Sequence, residues 1–356
     1  MKKLALLLGS LLVVTAAASA KEVVPAPVVV EEAPVQIVEK EVIVYRDKEE
    51  GFRPNGSIDL QYRYYDKTED KNNYWNKNDK SSRTQLTTKI NMSENQAFEA
   101  RIRDYNSLDD KNLVDGTETR LRYWYNHGPV GGTKINLNSR VHYQNTPGSQ
   151  DVEYSARFDF ADYLFNNDYV KTNIFEIAPK VGYVWADTNN SDYANLVGLD
   201  VASIFTLPAG FSAEFNLYLT QNFYGKRAEK LDNLNPTRSH KDNFDAYVEF
   251  YLYNTTNLYT NGNFGIDFVF EGGVDGYKWS QQKILTQGNG IDPVSSSSTY
   301  SLYAYPAIRA SYKATEFVNV YALAGAEYRN YMITGSNSAQ DWRWQPTATV
   351  GFTTTF

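Results

Sequence analysis

Residues 342–356 alternate, one by one, between two chemistries. Trp344, Pro346, Ala348, Val350, Phe352, Thr354 and Phe356 make one face, mostly apolar or aromatic. Arg343, Gln345, Thr347, Thr349, Gly351, Thr353 and Thr355 make the other. Successive side chains of a strand point to opposite faces, so a period of two sorts residues between two solvents. An alternating strand that closes on an aromatic residue fits the last strand of an all-β, transmembrane antiparallel barrel. Phe356 is then the expected C-terminal signal to the barrel-assembly machinery.

The same alternation runs back through the chain. The first strand sets Ile58, Leu60, Tyr62 and Tyr64 against Asp59, Gln61 and Arg63. The next five set Leu86, Ile102, Leu121, Val141 and Tyr154, among others, against Arg83, Arg101, Arg120, Arg140 and Arg157. Further strands are predicted near 172–185, 193–206, 211–224, 242–254, 258–271, 299–312, 317–330 and 342–356. That is about 14 strands, an even number as a bacterial barrel requires. Gly262 and Gly265 blur the start of the strand over 258–271. Short turns are predicted at 93–96, 127–132, 207–210, 254–257 and 313–316, with a longer one at 163–171. Long polar connections are predicted at 66–81, 105–117, 225–241, 272–298 and 330–341, with shorter ones at 144–150 and 186–192. Short periplasmic turns alternating with longer extracellular loops are the expected barrel pattern.

Composition agrees. The chain has 28 Tyr and 18 Phe, no cysteine, and a net charge of −7. Aromatic residues suit the two interfacial girdles of a barrel. The lack of cysteine excludes disulfides and thiolate chemistry. Mild acidity argues against nucleic acid as a partner. Residues 1–20 carry Lys2 and Lys3, an apolar run from Leu4 to Val14, and Ala18-Ser19-Ala20. They predict a secretory signal peptide, because the run is too short for a helical span. Residues 21–54, rich in Pro, Val and Glu, predict a periplasmic segment outside the barrel, which occupies 55–356. The expected location is the outer membrane of a Gram-negative-type cell.

No catalytic constellation stands out, and neither an enzyme, a cofactor nor a metal site is expected. The histidines are His127, His142 and His240. His142 near Ser139, or His240 near Asp242, are the only pairs that suggest a rim-type hydrolase. Asp109, Asp110 and Asp115 read as solvated loop charge rather than a cation site. The inward faces do carry an order. Arg83, Lys89, Arg101, Arg103, Arg120, Arg122, Lys134, Arg140 and Arg157 predict a basic pore wall. Glu176, Glu214, Asp245, Glu249 and Asp267 predict an acidic wall facing it, with Lys180 as an exception. Opposed charges across a narrow aqueous pore make a transverse field that orients polar solutes. The expected function is a general diffusion porin for small hydrophilic solutes. The alternative is a surface adhesin acting through its extracellular loops.

Several stretches resemble the FomA-type major outer-membrane porin of fusobacteria. They are Lys21-Glu22-Val23-Val24-Pro25-Ala26-Pro27, Val42-Ile43-Val44-Tyr45-Arg46-Asp47, Arg53-Pro54-Asn55-Gly56-Ser57, Phe158-Asp159-Phe160-Ala161-Asp162-Tyr163 and Trp342-Arg343-Trp344-Gln345-Pro346-Thr347-Ala348. The resemblance implies a voltage-sensitive, water-filled channel in outer-membrane lipid, a homotrimer, and surface loops that act in cell adhesion. It gives no residue-level constriction site.

Overall fold

A computed structural model describes residues 51–69, 80–108, 115–186, 193–228, 240–286, 294–330, 333–334 and 342–356. The signal peptide, most of the 21–54 segment, Asp109 and Asp110 lie outside them, as do the centres of most of the long connections. Residues Pro54–Phe356 form one compact unit.

The strands are β1 (Asn55–Tyr65), β2 (Ser81–Asn91), β3 (Gln96–Ser107), β4 (Gly116–Pro129), β5 (Asn136–Thr146), β6 (Ser149–Asp159), β7 (Lys171–Ala186) and β8 (Tyr193–Thr206). They continue with β9 (Phe211–Ala228), β10 (His240–Asn261), β11 (Phe264–Thr286), β12 (Val294–Lys313), β13 (Val318–Arg329), β14 (Ile333–Thr334) and β15 (Arg343–Thr355). Every strand pairs antiparallel with its neighbours in the chain, except that the two-residue β14 pairs with β12 while β13 pairs with β15. β1 pairs with β15, and β11 pairs with β12. The ring therefore closes with 14 strands, and β14 only lengthens one rim. Gly56 and Phe356 exchange backbone hydrogen bonds of 3.0 and 3.1 Å, so the barrel starts and ends at the same rim. An even strand count requires this.

The polarity is inside out. Along β15, Arg343, Gln345, Thr347, Thr349 and Thr353 are buried in the lumen, while Trp344, Pro346, Ala348, Val350 and Phe352 are exposed outside. Leu60, Ile102, Val141, Val197, Phe215 and Ile308 continue the apolar exterior around the ring. A soluble protein does the reverse, burying its large apolar side chains.

The turns at 92–95, 207–210 and 314–317 fall where the sequence places them. The hairpin between β10 and β11 does not. The turn is not at 254–257; β10 runs on to Asn261 and reverses at Gly262 and Asn263. Gly262 adopts φ +56°, the left-handed conformation that a two-residue hairpin demands. The connection predicted at 272–298 is mostly strand, because β11 reaches Thr286 and β12 begins at Val294. Likewise β9 runs to Ala228 and β10 starts at His240, shortening the connection predicted at 225–241. A bulge hides the alternation in β11. Register shifts between Val274 and Tyr277, where Gly273 and Gly276 take φ +142° and +105°. A Cβ on Gly273 would collide with the Phe250 carbonyl, and one on Gly276 with the Tyr247 ring. The bulge turns Asp275 into the lumen, a usual effect of an extra residue in one strand.

Candidate functional site: a charged lumen with two unlike walls

Inward residues of β2 to β6 form a ladder of guanidinium groups. Arg83, Arg101, Arg103, Arg120, Arg140 and Arg157 are all buried. The register brings them together, since Arg101 lies directly opposite Arg120 and Arg63 opposite Arg83. Lys89 pairs in register with Glu99. Carboxylates thread the ladder. Glu99 holds Arg120 by a short ion pair and approaches Arg122 at 3.9 Å. Glu118 lies 3.7 Å from Arg103, whose Nε donates to Gln85 Oε1 at 2.9 Å. Arg157 is bound to Glu176 at 2.6 Å.

Asp200 of β8 is the hub. Its carboxylate lies 3.1 Å from Lys180, 3.6 Å from Arg140 and 3.9 Å from Arg157. Glu153 shares two of these cations, at 3.3 Å from Lys180 and 3.9 Å from Arg140. Asp200 thus ties together β5, β6 and β7 from a fourth strand. Its inward position follows from alternation alone; its reach to β5 follows only from the curvature of the closed wall.

The other wall is built differently. Tyrosine hydroxyls, rather than cations, supply many of the donors to its carboxylates. Tyr303 donates to Glu271. Tyr251 donates to Asp275 at 3.2 Å, Tyr218 to Glu249 at 3.3 Å and Tyr253 to Glu214 at 3.4 Å. Cations sit at intervals. Arg329 binds Asp275 and Glu327 at 2.6 Å each and lies over the Tyr303 ring, while Arg309 binds Asp267 at 2.8 Å. Asp245 takes a hydrogen bond from Asn222 at 3.0 Å. Arg63 donates to Thr349 at 2.9 Å and stacks over Tyr305. The tyrosines were missed in the sequence because alternation shows which face a residue takes, not which carboxylate its hydroxyl meets.

Of the residues assigned to the walls from the sequence, Arg83, Arg101, Arg103, Arg120, Arg140, Arg157 and Glu249 are buried inside the barrel, and Lys134 is not. Lys134 is exposed and sits in the turn between β4 and β5, not on the wall. Gly131 and Gly132 both adopt positive φ there, and the ladder resumes only with Asn136 opposite Pro129. Glu176 also belongs with the basic wall through Arg157, rather than facing it.

The suspected hydrolase pairs do not form. Ser139 faces outward and is bound by His127 Nε2 at 2.8 Å, not by His142. Its other partner is the Tyr154 hydroxyl, at 2.9 Å. His142 lies inside, 4.0 Å from Glu153 among the arginines. A nucleophilic serine needs a base that a third group orients. No carboxylate orients His127 among the described residues. Nor do these residues hold a cluster of three His, Asp or Glu that fits a metal ion.

No family model matches the chain, and no curated protein matches it in sequence. Solved structures resemble it in architecture. A bacterial polysaccharide outer membrane secretin has a TM-score of 0.40 at 10% identity, over 85% of this chain and 98% of its own. The outer membrane channel DcaP of Acinetobacter baumannii has 0.37 at 10% identity, over 84% and 96%. The NanC porin has 0.32 at 9% identity, over 83% and 98%.

Proposed function

We propose that this barrel is an outer-membrane porin that passes small hydrophilic solutes and ions passively. The observation that carries the reading is the inverted polarity: charges are buried inside, and large apolar side chains are exposed outside. An apolar band in water would cost about 25 cal/mol for each Å² left exposed. The same band in hydrocarbon costs nothing. Dimensions agree with a bilayer. An 11-residue strand such as β1 is about 37 Å long at ~3.4 Å per residue. Tilted by about 40°, it rises about 28 Å, close to a ~30 Å hydrocarbon core. We extend the proposal to a FomA-type porin that assembles as a homotrimer.

On this reading the rim that carries Asn55 and Phe356 is periplasmic, residues 21–54 are a periplasmic segment, and Phe356 is read by the insertion machinery. An adhesin acting through its loops would leave the order of charges in the lumen without a use. Refolded protein in a planar bilayer tests the proposal. Stepwise, long-lived openings are expected, and a correctly folded barrel that passes no current would end it.

The membrane-facing exterior makes a separate prediction. Val350 is 56% exposed in the middle of β15. Val350→Arg should destabilise the barrel in lipid vesicles by about 2–4 kcal/mol, the cost of arginine near the bilayer midplane. A water-facing position would change by less than about 0.5 kcal/mol. Urea unfolding followed by tryptophan fluorescence separates the two.

A further inference from the structure

One group of side chains in the lumen has more donors than acceptors. Arg83 of β2 lies directly opposite Tyr105 of β3, and Gln85 opposite Arg103, so Arg103 is diagonal to Arg83. Diagonal partners sit about 7–8 Å apart, within reach of two long side chains on one face. Arg83 is 1% exposed and Arg103 0%. Nε and Nη2 of Arg83, Nη1 and Nη2 of Arg103, and the Tyr105 hydroxyl are all buried without an acceptor among the described residues. Glu118 is the nearby carboxylate, but at 3.7 Å from Arg103 it is too far for a good hydrogen bond. Gln85 Oε1 already accepts from Arg103 Nε. Arg63, on the far side of Arg83, is already committed to Thr349 and the Tyr305 ring.

Two neighbouring like charges, each with two nitrogens unmet, are costly to bury. Nothing that donates only can relieve this; an anion with several oxygens can. Guanidinium forks match phosphate oxygens geometrically, and a tyrosine hydroxyl adds a neutral donor. We propose that Arg83, Arg103 and Tyr105 form an oxyanion subsite in the lumen, near the rim opposite Gly56 and Phe356, that takes the phosphate group of small phosphorylated solutes. The subsite names a solute class for the channel proposed above and depends on that reading only for the route of access. A single carboxylate would leave donors unmet, whereas a tetrahedral dianion has oxygens enough for both guanidinium groups and the hydroxyl.

The test is calorimetric titration of inorganic phosphate into the full chain, refolded in detergent at fixed ionic strength. Saturable binding is expected, with sulfate competing and chloride not. Arg83→Gln should weaken it about tenfold or more, as for a lost hydrogen bond to a charged group. Tyr105→Phe removes one oxygen and keeps the shape, so it tests the site even if Arg83→Gln fails to fold; about threefold weakening is expected. A phosphorylated sugar should bind as inorganic phosphate does, and its failure to bind would overturn the solute class. Absence of saturable binding, or binding by both variants as tight as by the unsubstituted chain, would overturn the subsite. Bilayer recording of the same preparation keeps the two proposals apart. Current without phosphate binding defeats the subsite alone, and binding without current defeats the channel alone.

Discussion

Asp200→Asn should destabilise the barrel by about 3 kcal/mol or more. Asp200 is 1% exposed and faces Lys180, Arg140 and Arg157 at 3.1, 3.6 and 3.9 Å. Asparagine keeps the volume and removes the charge. Glu153 and Glu176 would then serve three cations that now share three carboxylates. Breaking a buried ion network costs about 3–5 kcal/mol, because the remaining charge cannot regain its hydration. The lower end applies here, since two carboxylates stay. The measurement is urea unfolding in lipid vesicles, read with the shift in gel mobility on heating. Lys180→Met in the same chain should restore part of the loss, as expected for residues in one network. A loss below about 0.5 kcal/mol would mean that the lumen solvates these charges like a surface pair.

The hub also marks where sequence reasoning stops. Alternation along residues 342–356 assigned every side chain of β15 to its face. The same rule placed the arginine ladder, because each arginine needed only its own strand. Glycine defeated the rule twice. At Gly262 a left-handed φ moved the hairpin well past the predicted turn. At Gly273 and Gly276 a bulge shifted the register, so the far half of β11 read as loop. Convergence was also invisible. Asp200 meets Arg140 three strands away, and Arg63 of β1 meets Tyr305 of β12. Those contacts depend on the curvature of a closed wall, which no single segment encodes. The basic wall therefore emerged from the sequence as a list of charges, and the structure adds which charges are neutralised. Arg157 is held by Glu176, while Arg83 has no such carboxylate among the described residues.

In the proposed channel, that difference sets the expected ion selectivity. Neutralising Arg101, Arg103, Arg120 and Arg122 together to Gln should move the channel's reversal potential toward cations. Within β2 to β4 the inward cations are these four with Arg83 and Lys89, against Glu99 and Glu118 as the carboxylates paired with them. The substitution removes the excess of positive charge, frees Glu118 to face a permeating ion and leaves Glu99 with Lys89 alone. A unit charge ~10 Å from an ion, at an effective dielectric of ~20, contributes about 1.7 kcal/mol. That is more than a tenfold change in the partition of an anion over a cation. Salt shortens the reach of each charge to about 10 Å at 0.1 M, so the shift should shrink as salt rises. The opposite change serves as control. Glu99→Gln leaves Arg120 and Arg122 without their carboxylate and should move the reversal potential toward anions. Both variants are read in a salt gradient across a planar bilayer. Equal reversal potentials in wild type and the fourfold variant would mean that ions pass without meeting the arginine wall. The tyrosine and carboxylate wall of β9 to β13 would then be the surface that selects.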